Sequence, residues 1–245
     1  MKTSNHLLRR LTAALLAAVL ALSIALPVFA SDDGDTIYIN SVSDLLSLAR
    51  NCAYDQWSVG KTVILQKDLS LEGMLWEPIP SFSGQFKGNG HTISDLTITG
   101  QYSPAGLFGI VEEQGSIESL SVRGVVSVSD SADTTTGGIA GINHGTLISC
   151  QFTGVVTGDS EVGGIVGRNE SEGTIDHGTA RAIVTGKSST GGIAGYNLGA
   201  ITGCTNVGSI NTEYPEASLD TDGFTAKMVD YINNKMAAAD NDATN

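Results

Sequence analysis

Residues 106–210 contain short apolar and polar segments that recur in one order. The segments TGGIAGIN (136–143), VGGIVGRN (162–169) and TGGIAGYN (190–197) keep their glycines, a branched residue and an asparagine, and vary elsewhere. Apolar and polar residues alternate between these anchors, which is the period of a β-strand, and the repeat lacks the 3.6-residue spacing of a helix. The pattern predicts two or three short strands per copy, separated by glycine corners.

Residues of one type fall into columns when the copies are aligned on Gly115, Gly145, Gly173 and Gly199. Two positions on, the apolar column holds Ile117, Leu147, Ile175 and Ile201. Five positions on, the next column holds Leu120, Cys150, Gly178 and Cys204. The columns nine and eleven positions on hold Gly124, Gly154, Ala182 and Gly208, and Val126, Val156, Val184 and Ile210. The earlier segment HTISDLTITG also fits, with His91 at the glycine position, Ile93 in the isoleucine column and Leu96 in the next.

Copies 24 to 30 residues apart predict an all-β solenoid. One such unit cannot bury its own apolar face, whereas stacked units form a continuous core. We therefore predict a right-handed parallel β-helix whose coils rise about 4.8 Å each. A β-propeller is the alternative, but its blades usually need about 40 residues or more.

The residues that recur in every copy of the repeat are predicted to have a structural role. Glycines are expected where the coil bends tightly or needs a positive φ. The asparagines are expected to stack and hydrogen-bond along one column, as amide ladders do; three solvated turn residues are the alternative. The residues concerned are Gly138, Gly141, Asn143, Gly164, Gly167, Asn169, Gly192, Gly195 and Asn197.

The ends of the chain differ from the repeat. Residues 1–30 place Lys2, Arg9 and Arg10 before an apolar run and end in Val-Phe-Ala, which is typical of a cleaved signal peptide; a membrane anchor is the alternative. Residues 31–80 are predicted to form an N-terminal cap, with a capping box at Ser41 and Asp44 opening a short helix and a strand TVIL. We predict the repeat domain over 81–212, a C-terminal cap helix over 213–237 and a disordered tail over 238–245.

The net charge of the chain excludes some classes of binding partner. Of the 13 Lys and Arg residues, three lie in the predicted signal, so 10 remain against 26 acidic residues, a net charge of −16. Nucleic acids and anionic membranes both require a basic surface, so neither is an expected partner. Cys150 and Cys204 share a column two coils apart, about 9.6 Å, beyond the roughly 7 Å limit for a disulfide. We predict that both are buried free thiols and that Cys52 is free too.

Several spaced motifs resemble the GLUG-motif repeats of bacterial secreted and surface proteins. They are GLFG at 106–109, the GGIAG and GGIVG copies, and the spacing NxGxIxxC at 143–150 and 197–204. The segment SFSGQFKGNGHTISDLTI (81–98) is similar to the first coil of such proteins. The resemblance covers about 37–210 and implies a β-helical region of the kind attached to adhesins or to non-catalytic parts of large surface peptidases. The copy at 162–173 departs from it, with two extra residues near Ser171 and Gly178 in the cysteine column.

Two groups of residues are candidates for chemistry. Asp133 and Asp159 would lie roughly 5 Å apart on adjacent coils, which suits a retaining glycosidase pair or oxygen ligands for calcium. A solvated acidic corner, with Asp159 paired to Lys187, is the interpretation we favour. Asp176, His177 and Ser149 supply the residue types of a triad, but residue types alone do not establish one. HExxH, paired CxxC and P-loop motifs are absent, so we expect no metal and no cofactor.

The sequence favours an exported, non-catalytic β-helical scaffold, adhesin-like or a surface binding module. The expected partner is a surface glycan or a protein, and the expected location is secreted or at the cell surface, without membrane insertion after signal cleavage. The alternative is a carbohydrate-active β-helix enzyme, a polysaccharide lyase or a glycosidase. An enzyme would present a carboxylate cluster beside a groove with exposed aromatic residues, and only Tyr196 among the tyrosines and tryptophans lies in the later copies.

Overall fold

Residues 35–54, 56–128 and 134–211 are described by a computed structural model and form short strands and one helix. The first strands and the helix are β1 (Thr36–Ile39), α1 (Val42–Asn51), β2 (Thr62–Leu65), β3 (Leu69–Ser70), β4 (Ile79–Phe82), β5 (Gln85–Lys87), β6 (Thr92–Gly100) and β7 (Phe108–Val111). The middle strands are β8 (Ser116–Glu118), β9 (Ser121–Val128), β10 (Thr135–Gly137), β11 (Ala140–Asn143), β12 (Thr146–Ile148), β13 (Gln151–Thr157), β14 (Glu161–Gly163) and β15 (Val166–Asn169). The last are β16 (Thr174–Asp176), β17 (Thr179–Thr185), β18 (Thr190–Gly191), β19 (Ala194–Asn197), β20 (Ala200–Thr202), β21 (Thr205–Asn206) and β22 (Ser209–Ile210).

These strands form four parallel sheets that run along one stack of coils. The first sheet has the order β1-β2-β5-β8-β12-β16-β20, and the second has the order β3-β6-β9-β13-β17-β21, with β22 also on β17. The third sheet has the order β4-β7-β11-β15-β19, and the small sheet has the order β10-β14-β18. Each later coil contributes one strand to the small sheet, then one each to the third, first and second sheets. The stack has about 6 turns. The predicted parallel β-helix is confirmed.

Strand pairing confirms the predicted columns of the later copies. Leu147 pairs with Ile117 on one side and Ile175 on the other, and Val156 pairs with Val126 and Val184. These six residues point inward and are fully buried, whereas Ile201 and Ile210, the members of the same columns in the last described coil, are exposed. Burial of each such side chain contributes about 1.5 to 3 kcal/mol to folding.

The register predicted for HTISDLTITG is wrong. Phe86 occupies the isoleucine column next to Ile117, whereas Ile93 pairs with Val122. Leu96 pairs with Gly124, because a bulge between Ile93 and Leu96 adds one residue to β6, and Asp95 within it has a φ of 60°. The main cause of the shift lies before the bulge. Phe86 pairs with Ile117, so Gly84 rather than His91 occupies the glycine position. The corner between β5 and β6 also contains four residues (88–91), whereas the corner between β8 and β9 contains two (119–120).

Aromatic side chains fill the N-terminal part of the core. Phe82, Phe86 and Phe108 are fully buried, with ring centroids 5.3 to 6.3 Å apart. Trp76 is also buried, and its Nε1 donates to the carbonyl oxygen of Leu107 at 3.2 Å. This indole therefore keeps a hydrogen bond inside an apolar core, which avoids the loss of free energy that an unpaired buried donor would bring.

Helix α1 packs against β1 and β4 at the N-terminal end of the stack. Ser41 caps it through a bond from the backbone N–H of Asp44 to the Ser41 hydroxyl, and Asp44 accepts from the backbone N–H of Asn40. Leu45 and Leu48 are its buried core residues. The stack already includes β1 to β4, although the sequence analysis placed the start of the repeat domain at residue 81.

The predicted signal peptide (1–30), cap helix (213–237) and tail (238–245) lie outside the described residues. Within the described ranges, no helix has the length and apolar character needed to span a membrane.

Candidate functional site

The repeated glycines lie where the small sheet packs directly against the third sheet. A methyl group on Gly141 would lie 2.7 Å from the backbone nitrogen of Ala105, and one on Gly167 would lie 2.5 Å from that of Thr136. A side chain at Gly138 would overlap the ring of Phe152. None of the six repeated glycines singled out by the sequence has a left-handed φ. They are required for close approach to neighbouring backbone or side-chain atoms rather than for backbone conformation.

Three asparagines form the predicted amide ladder. Asn143 Nδ2 donates to Asn169 Oδ1 at 2.7 Å, and Asn169 Nδ2 donates to Asn197 Oδ1 at 2.8 Å. Asn143 and Asn169 are completely buried, while Asn197 in the last described coil is exposed. Val111 occupies the same column one coil earlier. Within the described part of the chain, Asn143 Oδ1 therefore has no hydrogen-bond partner.

The corner between the third and first sheets alternates in length along the stack. It contains two residues at 83–84, 144–145 and 198–199, and four at 112–115 and 170–173. The long corners are closed by bonds from Gly115 N to Glu112 O (2.8 Å) and from Gly173 N to Glu170 O (2.9 Å). The two extra residues noted near Ser171 thus form a tight turn. Two acidic turns project from this edge, with His144 between them.

One open groove lies at the N-terminal end of this edge, and we call it the corner groove. Its volume is about 420 Å³, and it is lined by Gln56, Val59, Ser81, Ser83, Glu112, Glu113, Gln114 and His144. Ser81 Oγ donates to Glu112 Oε1 at 2.7 Å, and the Ser83 backbone N–H donates to Ser58 Oγ at 2.9 Å. The repeat pattern of the sequence did not predict this groove. The unequal length of the corners could have indicated it, because the longer corners project from the stack. In the alignment on glycines these extra residues counted only as an irregularity of the repeat.

A charged cluster lies on the outer face of the third sheet. Arg168 Nε donates to Glu161 Oε2 at 2.6 Å, its Nη2 donates to Glu161 Oε1, and its Nη1 is 3.6 Å from Glu170 Oε1. The hydrogen bonds that Arg168 donates to Glu161 raise the pKa of the guanidinium. The guanidinium also lies 5.4 Å from the ring centroid of Tyr196, its neighbour on the next strand. These mutual contacts explain the cluster as a surface anchor between adjacent coils.

The predicted acidic candidates are only partly described. Asp133 lies outside the described residues, so its distance from Asp159 is not defined. Asp159 Oδ1 is 2.7 Å from Lys187 Nζ, which is the pairing expected from the sequence. In the ranges covered by the structure, no cluster of three His, Cys, Asp or Glu side chains is arranged to hold a metal ion.

The triad residue types do not converge. His177 Nδ1 is 2.9 Å from Asp176 Oδ1, and the imidazole ring lies beside Gly203 on the following coil. Ser149 belongs to the preceding coil, since its N–H donates to the carbonyl of Asp176. Ser149 and His177 share a left-handed corner column, with φ values of 52° and 51°. Their alignment in the sequence therefore reflects backbone geometry.

All three cysteines are free thiols, as predicted. Cys52 and Cys150 are buried, and burial raises their pKa values to about 11 and about 12. Cys204 was predicted to be buried but is only partly so, because it lies in the last described coil. Burial raises its pKa as well.

Comparison with known proteins gives relatives that match part of the chain. No family model matches the chain. It is 30% identical over 155 residues to halomucin of Haloquadratum walsbyi, covering 58% of this chain and 2% of halomucin. It is 29% identical over 137 residues to a provisionally named Gly-rich membrane protein of Evansella cellulosilytica, covering 40% of this chain and 16% of that protein. The chain thus spans a small part of the length of both relatives.

Among solved structures, the chain is similar to a candidate immunoglobulin A1 protease from Bacteroides ovatus. The two are 15% identical, with a TM-score of 0.46, over 75% of this chain and 79% of the other. The described residues of this chain form a β-helical repeat scaffold, and its curated relatives carry the names of a halomucin and a membrane protein.

Proposed function

We propose that this chain is an exported β-helical binding module, adhesin-like and without catalytic activity of its own. The observation that carries the proposal is the division of the coils into inward and outward positions. Inward positions of the inner coils are buried and, apart from the asparagine ladder, mostly apolar. Outward positions carry unrelated side chains in successive copies, as Glu118, Ile148 and Asp176 do. Such a stack presents a long, variable surface on a rigid frame, which suits recognition.

The location proposed is the cell surface or the surrounding medium. Support comes from the N-terminal segment, whose basic residues and apolar run fit an export signal. A relative named as a membrane protein and another named halomucin agree with a surface location. We also propose that the repeats are of the GLUG type, on the strength of the motifs at 106–109, 143–150 and 197–204.

A second candidate, a carbohydrate-active β-helix enzyme, is favoured by one observation. Glu112 and Glu113 both line the corner groove. Glycosidases, however, place two carboxyl groups on opposite sides of the scissile bond. These two glutamates are consecutive in a single turn, and Glu112 already accepts a hydrogen bond from Ser81. The binding module therefore remains the preferred function.

Expression of the full chain in a bacterial host tests the proposal. We expect an exported product whose intact mass corresponds to cleavage after Ala30. We expect this product to bind bacterial or mucin-coated surfaces and to release no reducing ends or unsaturated sugars from a polysaccharide panel. Robust turnover that Glu112→Gln or Asp159→Asn abolishes would overturn the binding-module assignment in favour of the enzyme.

A further inference from the structure

We propose that the corner groove binds a neutral, disaccharide-sized saccharide. The inference rests on the proposed function as a binding module and specifies the chemistry of one ligand. It concerns a site at the N-terminal end of the stack rather than the flat faces of the coils.

The groove is built by three successive levels of the stack and by the segment after α1. Gln56 and Val59 come from that segment, and Ser81 and Ser83 come from β4 and its corner. The turn 112–114 and then His144 follow on the next two coils. A volume of about 420 Å³ falls within the range of about 300 to 1,000 Å³ that is usual for small-molecule sites.

The side chains that line the groove exclude several ligand classes. The lining contains no Lys or Arg, and two carboxylates are present, so a phosphate, sulfate or uronate would find repulsion and no cationic partner. Val59 is the one apolar residue of the lining, which is too little for a lipid or another apolar ligand.

The same lining suits a hydroxyl-rich ligand. Two side-chain amides, two hydroxyls, two carboxylates and an imidazole provide both donors and acceptors. A sugar hydroxyl donates one hydrogen bond and accepts others, so adjacent hydroxyls on a pyranose can bond to a carboxylate and an amide together. Of the lining residues, Gln114 and Glu113 are exposed, whereas Glu112 and His144 are half-buried.

Backbone bonds between coils fix the groove before any ligand binds. The N–H of Glu112 donates to the Phe82 carbonyl at 2.9 Å, and that of His144 donates to the Val111 carbonyl at 2.8 Å. The hydroxyl of Ser81 orients Glu112. Gln56 is held at a φ of 59°, a left-handed conformation that is unfavourable for a residue with a side chain. A backbone fixed in this way, with Glu112 already oriented, reduces the entropy lost when a small polar ligand binds.

Calorimetric titration of the full-length exported protein tests the proposal. The neutral probes are cellobiose, maltose and N,N′-diacetylchitobiose, the anionic probe is digalacturonic acid, and the cationic probe is the glucosamine disaccharide. We expect at least one neutral probe to bind and the anionic probe not to bind. We expect Gln114→Ala and Glu112→Gln each to weaken that binding about tenfold or more, because each removes hydrogen bonds to the ligand.

Gln66→Ala is the matched control, since Gln66 is an exposed amide outside the groove, and we expect it to bind as the native protein does. Thermal melting of each variant establishes that the fold is intact. A neutral saccharide whose affinity is unchanged by both groove variants would overturn the site. Tighter binding of the anionic or cationic disaccharide would overturn the ligand class.

Failure of every saccharide to bind the native protein would also overturn the inference. The proposed function is judged separately, by binding of the same exported protein to whole cells and mucin-coated surfaces. Retained surface binding without saccharide binding would reject the groove and leave the binding module standing, whereas polysaccharide turnover would reject the binding module itself.

Discussion

The side-chain amide of Asn143 donates to Asn169 Oδ1 across one coil, at 2.7 Å, and both residues are completely buried. Asn169 in turn donates to Asn197 and to the carbonyl oxygen of Gly173. Asn169 is therefore the middle member of a chain of amides inside the stack. Buried amides linked in this way stabilise the fold only while every member is present, because a missing member leaves its neighbours unpaired.

Asn169→Ala is expected to lower the free energy of unfolding by about 3 kcal/mol, because two ladder bonds are lost and the buried Asn143 donor loses its ladder acceptor. Asn197→Ala is the control. Asn197 is exposed, so water replaces its lost bonds, and a decrease of about 1 kcal/mol or less is expected. Urea denaturation measures both. Equal effects of the two substitutions would show that the ladder does not stabilise the core.

Gly154→Ala is expected to destabilise the stack strongly. Gly154 has a φ of 151°, and a methyl group there would overlap the carbonyl oxygen of Gly124 on the preceding coil. We expect the free energy of unfolding to fall by about 3 kcal/mol or more, since backbone atoms on both coils would have to move. Ala182 occupies the same column on the next coil.

Ala182→Gly is therefore the matched control, with an expected loss of about 1 kcal/mol or less. Thermal melting and urea denaturation distinguish the two variants. A Gly154→Ala protein as stable as the native one would contradict the close approach of these two coils.

The columns and the amide ladder could be predicted from the sequence because residues of one type recur at one offset in each copy. Leu147 and Asn169 are examples, and both pair as expected. The register of Ile93 could not be predicted, since the corner before β6 (88–91) is two residues longer than the corner before β9 (119–120), and alignment on glycines does not show this difference. The repeated glycines were expected at tight bends or at positive φ, but they allow close approach to neighbouring atoms. The sequence could not show this, because contact between two sheets depends on the path of the whole coil.

The candidate site could not be predicted for a related reason. The corner groove depends on which corners are long and on a segment after α1 that lies outside the aligned copies. Arg168 likewise meets Glu161 only because the small sheet folds back on the third. Periodicity identifies residues that share a column, whereas these contacts join residues of different columns.

Stability is expected to fall as the pH rises above about 9, in part through Cys150. Burial raises the pKa of this thiol from an ordinary value of 9.0 to about 12. Between these two values the unfolded chain releases a proton that the folded chain retains. The unfolded state then binds fewer protons, so its free energy falls relative to the folded state. The contribution of Cys150 is complete below pH 9 and is lost towards pH 12.

Urea denaturation from pH 8 to pH 10.5 measures this dependence, with Cys150→Ala as the comparison. The variant is less stable at every pH because it creates a cavity, but its stability should fall less steeply above pH 9. Native-state alkylation at pH 8 is expected to modify the partly buried Cys204 before Cys150. Identical pH slopes for the two proteins would contradict a buried, protonated thiol at position 150.

Chelation of divalent cations is expected to leave the melting temperature unchanged. Asp159 already pairs with Lys187 at 2.7 Å. The lysine side chain is 79% exposed and the aspartate side chain 16% exposed, so the ion pair is open to water on the lysine side. Ion pairs of this kind contribute about 1 kcal/mol or less, so Asp159→Asn should have an equally small effect on the free energy of unfolding. Differential scanning calorimetry with and without EDTA checks both expectations, with Asp176→Asn as a control for loss of a surface carboxylate on another corner. The contrary result would be that EDTA lowers the melting temperature of the native protein and of Asp176→Asn but not that of Asp159→Asn. That result would place calcium at Asp159 and contradict the ion-pair interpretation.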